Sequence, residues 1–233
     1  MIRTLLGTNL LIEQKGRQAF NLDTVLLQSF IKVPVRAKTV LDLGTGIGPL
    51  MLYVSQKTKA KIIGVEIQET RYLQALKNIE LNQLQHQLSC LHLDINDLKM
   101  KDVDVIVSNP PFFKVSESSN LNETEEDTIA RHEVKLSLNE LIEKVSKTLK
   151  YGGYFYMIHR PDRLMEILSL CEENHLAIKR IRFVHPYLNH EANHVLIEAM
   201  KYGSSGIKVE KPLILYKDKH LISEEMENIY QGG

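Results

Sequence analysis

Cysteine is scarce, net charge is zero and no long apolar run occurs, and each shortage narrows what the chain can be. Only Cys90 and Cys171 occur in 233 residues, far apart and without C-x-x-C spacing. That argues against a disulfide framework, an iron–sulfur cluster or a cysteine-rich zinc site, and it suits a reducing cytoplasm. The 29 Lys and Arg balance 29 Asp and Glu, so no surface-wide field exists for coating nucleic acid, although the total is silent on a local basic patch. Thr8, Asn9, Glu13 and Lys15 break up the apolar residues at the start, so neither an export signal nor a membrane span is expected. Repeats and low-complexity tracts are missing too. What remains is 43% hydrophobic and 25% charged, the composition of one soluble domain large enough to bury a core without staples.

From Lys38 to His159 short β-branched or apolar runs alternate with longer amphipathic stretches, which predicts an α/β fold: a mostly parallel sheet with crossover helices on both faces. The expected strands are 39–43, 61–66, 88–93, 103–108 and 153–159. Helices are expected at 49–57 and 68–82, and after a capping box made by Ser137 and Glu140. Gly152 and Gly153 are expected to stop that last helix. Beyond residue 160 the pattern predicts a helix to Asn174, then an antiparallel closing pair, 177–185 and 194–202, around a turn at Pro186. Residues 211–218 and a helix at 223–230 should pack back on the same domain. This divides the chain into one domain with an N-terminal segment, 1–37, and a C-terminal extension, 203–233. Residues 113–129 carry five acids and no arginine, and only the lysine at 114 as a base, too polar for an ordinary connection; a mobile segment is expected there.

Asp42-Leu43-Gly44-Thr45-Gly46-Ile47-Gly48 stands where a strand hands over to a helix, so its glycines permit a tight turn and close backbone approach by a nucleotide-type cofactor. Pro49 occupies the place where a dinucleotide fingerprint needs glycine. Read as D-x-G-x-G-x-G, the loop resembles that of S-adenosylmethionine-dependent methyltransferases of the Rossmann-like class I. Glu66 closes the second strand about twenty residues on, where an acid can take both ribose hydroxyls. Asp94 ends the third. The resemblance implies that Asp42, Gly44, Thr45, Gly46, Glu66, Ile67, Asp94 and Ile95 hold the cofactor, with Asp94 and Ile95 beside its adenine. Taken singly, strand-end acids are often only helix caps.

Asn109-Pro110-Pro111-Phe112 follows the fourth strand, at the edge where open α/β sheets bind ligands. This tetrapeptide resembles the NPP[FY] motif of methyltransferases that act on an amide or exocyclic amine nitrogen. Such nitrogens delocalise their lone pair and are poor nucleophiles. The Asn109 oxygen and the Pro110 carbonyl can accept both N–H hydrogens and turn the lone pair toward the methyl, Pro111 stiffens the backbone, and Phe112 can stack on a flat substrate.

Ile12-Glu13-Gln14, the run from Phe20 to Leu27 with Asp23, Ala130-Arg131-His132-Glu133, His159 to Leu164 and Lys179 to Pro186 are similar to the bacterial tRNA1(Val) (adenine-37-N6) methyltransferase family. That resemblance covers nearly the whole chain. It implies transfer to adenine N6 in the anticodon stem-loop of tRNA, release of S-adenosylhomocysteine, and Asp23 and Asn109 close to the cofactor. Phe112, Lys114, Arg131, His132, Arg160, Arg163, Lys179, Arg180 and Arg182 become candidate RNA contacts. Two other readings stay open. Release-factor glutamine methyltransferases also carry NPP, although the segment before residue 38 is short for their recognition domain, and ribosomal guanine-N2 methyltransferases share NPPF. His190-Glu191-Ala192-Asn193-His194 matches the HExxH zinc pattern, but with Pro186 upstream and Val-Leu-Ile following, a turn without metal is expected.

Overall fold

The computed structural model describes residues 1–14, 22–110, 137–219 and 221–232. A hairpin opens the chain, β1 (Ile2–Thr4) with β2 (Leu11–Glu13), followed by helix α1 (Leu22–Phe30). Then come β3 (Thr39–Leu43), α2 (Pro49–Ser55), β4 (Lys61–Glu66), α3 (Glu69–Leu81), β5 (Leu88–His92) and a 3-10 turn, Ile95–Asp97. β6 (Val103–Ser108), α4 (Leu138–Thr148), β7 (Leu149–His159) and α5 (Leu164–Glu173) complete the alternation. β8 (Leu176–His185) and β9 (His194–Lys201) precede a tail of β10 (Lys208–Val209), β11 (Leu213–Ile214), β12 (Tyr216–Asp218), β13 (Leu221–Ile222) and α6 (Glu224–Tyr230).

The main sheet runs β10, β8, β9, β7, β6, β3, β4, β5, with β11 also on β8. Strands β3 to β7 are mutually parallel, and β9 is antiparallel to both neighbours. Because successive side chains on a strand point to opposite faces, Val40, Val105, Val107, Tyr156 and Ile158 pack with Leu26, Leu52 and Ala75 of α1 to α3. Leu41, Ile106, Phe155 and Met157 pack instead with Leu141 and Val145 of α4 and Ile167 of α5. Helices therefore cover both faces, as the alternating pattern predicts.

β3 has β4 on one side and β6 on the other, so the winding direction reverses between β3 and β6. Reversal opens a crevice at the carboxyl ends of those two strands. Leu43 and Ser108, the last residues of the pair, stand opposite one another, and the Ser108 hydroxyl donates to the Leu43 carbonyl at 2.9 Å.

The capping box is present, with Ser137 Oγ accepting from Glu140 N–H and Glu140 accepting from Ser137 N–H. The expected glycine stop is not. α4 ends at Thr148, the extended backbone of Leu149 already begins β7, and Gly152 (φ +70°) sits inside the strand. There Val103 pairs with Leu149 but Val105 pairs with Tyr154, so the glycines serve an irregular bulge in the strand rather than a helix terminus. A bulge residue, Lys150, bonds the Asp104 carboxylate, whose other oxygen accepts from Lys38 and Thr39 N–H. Burial opposes ionisation of Asp104, but these donors outweigh it and hold the carboxyl below its usual range.

Tyr53 donates to the Leu6 carbonyl, and Met226 and Ile229 of α6 join the first core cluster. No described helix is long and apolar enough to cross a membrane. The acidic stretch 113–129, together with Pro111, Phe112, Lys114, Arg131 and His132, lies outside the described residues.

Candidate active site

Gly44 and Thr45 both donate to the Val65 carbonyl at 3.0 Å, which turns the chain sharply off β3. Gly44 and Gly46 have φ of +74° and +59°, values L side chains rarely adopt. A Cβ on either would meet no atom within 4 Å, so the loop faces open space rather than packed side chains. Glu66, 5% exposed, accepts from Gly46 N–H through Oε2 at 2.8 Å and from Gln68 N–H through Oε1 at 2.9 Å. Each oxygen keeps a further acceptor position, which matches a vicinal diol. Glu66→Ala should weaken S-adenosylhomocysteine binding by about 1.5–3 kcal/mol for each charge-assisted bond removed; calorimetry showing wild-type affinity would refute the assignment.

Thr45 Oγ1 donates to Asp42 Oδ2 at 2.6 Å. Burial pushes the Asp42 carboxyl up to about 7, against the Thr45 bond and with help from the neighbouring Glu66 charge. The folded state thus binds the Asp42 proton more tightly than the unfolded chain. This group's contribution to stability must fall as pH rises from about 4 to about 7 and level off above that. Asp42→Asn should remove that slope, so the mutant gains stability relative to wild type across this window. Parallel melting curves at pH 4 and pH 7.5 check it; a constant difference would show that folding does not shift the Asp42 carboxyl.

Asn109 follows β6 in the crevice, half-buried, and its Nδ2 donates to Thr24 Oγ1 at 3.2 Å. Thr24 comes from α1, whose preceding residue, Asp23, meets His194 Nε2 of β9 at 3.0 Å. The N-terminal hairpin joins the same region through Asn78 of α3, which accepts from Glu13 N–H at 2.7 Å and donates to the Ile47 carbonyl of the loop at 2.9 Å. Beside Glu13, Gln14 is 3% exposed, and neither of its amide atoms is hydrogen-bonded among the described residues.

Asp94 accepts from Asn96 N–H at 2.7 Å and caps the 3-10 turn that begins at Ile95. His92 Nε2 bonds the Ile67 carbonyl at 2.9 Å and its ring stacks on Tyr72. Ile67, Asp94 and Ile95 are thereby fixed just past the ends of β4 and β5.

The expected basic set divides. Arg160 is exposed at the carboxyl end of β7, on the rim of the crevice. Arg163 forms a forked pair with Glu166. Lys179 donates to the Ser204 carbonyl and lies in the half of β8 that pairs with the far end of β9, away from Asn109. Arg180 and Arg182 are tied into the fold. Arg180 is 7% exposed, bonds Glu198, Glu210 and the Phe30 carbonyl, and stacks 3.7 Å over the Phe30 ring. Arg182 bonds Glu225 and the Lys211 carbonyl, tying β8 to α6. Both guanidiniums are engaged by acidic and carbonyl partners within the fold.

The model of the methyltransferase small domain matches residues 17–171. The chain belongs to that family. It is 27% identical to the tRNA1(Val) (adenine(37)-N6)-methyltransferase of Flavobacterium johnsoniae, over 91% of each chain. The enzyme of that name from Cytophaga hutchinsonii is 34% identical over 58% of this chain and 57% of its own length. Among solved structures, protein Atu636 of Agrobacterium tumefaciens, described as a predicted O-methyltransferase, superposes with a TM-score of 0.70 at 20% identity over 91% of this chain and 96% of that one. An S-adenosylmethionine-dependent methyltransferase of Aquifex aeolicus gives 0.53 at 20% identity, over 76% and 87%. These two show the fold.

Within this methyltransferase small domain, Thr24, Asn78 and His92 escape sequence reading. Each acts through a partner distant in sequence, Thr24 and Asn109 being 85 positions apart, and no local spacing encodes such pairs. The HExxH residues do not share a helix face: His190 lies in the turn before β9, and His194 opens the strand facing Asp23.

Proposed function

We propose that the chain transfers the methyl group of S-adenosylmethionine to N6 of adenine 37 in the anticodon loop of tRNA1(Val), leaving S-adenosylhomocysteine. The observation carrying this reading is Asn109 at the β3/β6 crevice, with its amide nitrogen bonded to Thr24 and its oxygen accepting from no other described residue. The Flavobacterium johnsoniae relative of that name, matched over 91% of its length, suggests the nucleoside and the position. When bound, S-adenosylmethionine supplies an electrophilic sulfonium methyl. Glu66 holds the ribose diol, Asp94 and Ile95 flank the cofactor's adenine, and the loop glycines admit its amino-acid end. Asn109 Oδ1 and the Pro110 carbonyl accept the two N6 hydrogens and hold the nitrogen lone pair along the transfer direction.

N6 is buried in the stack of a paired adenine, so the base must come from a loop or be extruded. An anticodon loop meets that need without a strongly basic protein, and tRNA as substrate places the enzyme in the cytoplasm. Arg160 on the crevice rim contacts a phosphate of the loop. The test is methyl transfer to unmodified tRNA and to a release factor in parallel, with mass analysis of digested nucleosides and peptides. N6-methyladenosine from the tRNA alone supports the reading; methylglutamine or N2-methylguanosine would replace it.

A further inference from the structure

We propose that the edge of the sheet opposite the crevice binds single-stranded nucleic acid, on a platform of stacked rings continued by a row of basic side chains. The parallel strands β3, β4, β6 and β7 begin at this edge, β9 ends there, and β8 starts beside it, with Leu176 opposite Lys201. The six residues of β6 set the edge about 20 Å from Asn109.

The rings come from three strand ends. Tyr202, just past β9, stacks with Tyr151 of β7, centroids 5.6 Å apart and planes at 20°, and with His175 ahead of β8, at 5.4 Å and 25°. Tyr151 is 76% exposed and Tyr202 50%, so the stack is not part of the core. It is nevertheless held in place. Tyr202 N–H donates to the His175 carbonyl at 2.8 Å, and Lys201 Nζ, bonded to the Leu149 carbonyl, lies 5.5 Å from the Tyr202 centroid, within cation–π range. His175 and Tyr202 have φ of +58° and +54°, a conformation that bulky residues rarely hold. A fixed ring facing solvent is a stacking surface for a base, whatever the base's identity.

Toward β6, β3 and β4 the same edge turns basic. Lys99 and Lys101 lead into β6, Arg36 and Lys38 into β3, and Lys59 into β4, and all five are exposed. The connections that carry them, 32–38, 56–61 and 98–102, contain one acid, Asp102. None of the five has an acid partner among the described residues. In a chain of zero net charge this is a concentrated positive field, complementary to a polyanion. Strands roughly 4.8 Å apart place β4 about 24 Å from β8, room for about four nucleotides of a single strand. A duplex fits less well, because its bases are already stacked and offer the rings no face.

Fluorescence anisotropy of the whole chain with a labelled oligouridine of about eight nucleotides tests this; the probe carries no adenine for the crevice. It should bind at low salt, and Tyr151→Ala should raise the dissociation constant about tenfold, as expected for one lost base stack. Tyr151→Phe should stay within about twofold of wild type. Lys38→Ala combined with Lys101→Ala should flatten the slope of log affinity against log salt by about 1.4, two phosphate contacts on a single strand. A duplex RNA of the same length should bind more weakly and be indifferent to Tyr151→Ala. Because Tyr151 is exposed, its variants should keep the wild-type melting temperature and affinity for S-adenosylhomocysteine. Methyl transfer is not the readout, so failure of the proposed tRNA reaction and failure of this surface are separate results. Absence of binding at low salt, or equal affinity in wild type and Tyr151→Ala, would overturn the proposal. So would a wild-type dimer in light scattering that Tyr151→Ala dissociates, since a second copy of the chain would then occupy the platform.

Discussion

Asn109→Ala is expected to lower single-turnover methyl transfer by about 10²–10³-fold, the range seen when one preorganised polar group is removed from a reacting centre, while cofactor affinity changes little. The split follows from the structure. Glu66 and the glycine loop form a closed set of contacts among themselves, and Asn109 takes no part in it. Its amide nitrogen bonds Thr24 of α1 instead. Losing the side chain therefore removes the acceptor that orients the nitrogen without loosening the loop. Asn109→Asp is informative beside it, because a carboxylate retains acceptors on both sides and loses the donor that Thr24 receives. Single-turnover rates together with calorimetric cofactor binding check the pair. A near-normal rate in Asn109→Ala would remove this residue from the mechanism.

Arg180→Ala is expected to destabilise the fold by about 3–5 kcal/mol, the cost of removing one partner from a buried ion pair. At this chain length that is on the order of 10 °C in melting temperature. The guanidinium satisfies Glu198 through two nitrogens, Glu210 through a third contact and the Phe30 carbonyl at 2.7 Å. Truncation strands two partly buried carboxylates and a backbone acceptor together. Arg180→Lys should recover little, since a single ammonium cannot reproduce the fork or lie flat on Phe30. Thermal melts test this, with the Michaelis constant for tRNA measured well below the mutant's midpoint. An unchanged midpoint with a raised Michaelis constant would restore Arg180 as an RNA contact and contradict its structural role.

The contrast between these two residues shows where sequence is informative. β3, β4 and β6 have the bounds their apolar runs predict, because buried parallel strands are continuous hydrophobic segments between turn signals. The glycine loop and the Asn-Pro-Pro-Phe start are equally legible, each needing residue types that few other conformations tolerate. Arg180 and Arg182 look like a basic cluster in Lys-Arg-Ile-Arg, yet their charges are answered by Glu198, Glu210 and Glu225, which lie 18 to 43 positions away in the chain. Composition near a residue does not report such partners. Gly152 misleads for a related reason: glycine after a helix fits a terminator and a bulge alike, and only pairing with Val103 and Val105 distinguishes them. Two-residue strands such as β10 and β11 carry no pattern of their own and exist because β8 offers them an edge.

Mapping the methyl group on tRNA is the most direct measurement of the central claim. Unmodified tRNA1(Val) incubated with the protein and isotope-labelled S-adenosylmethionine, then cleaved at specific nucleotides and analysed by mass, should carry one label, on N6 of adenine 37. Substitution of that adenine by guanine should abolish incorporation. Label at another nucleotide, label retained after the substitution, or equally efficient methylation of free adenosine would contradict the account.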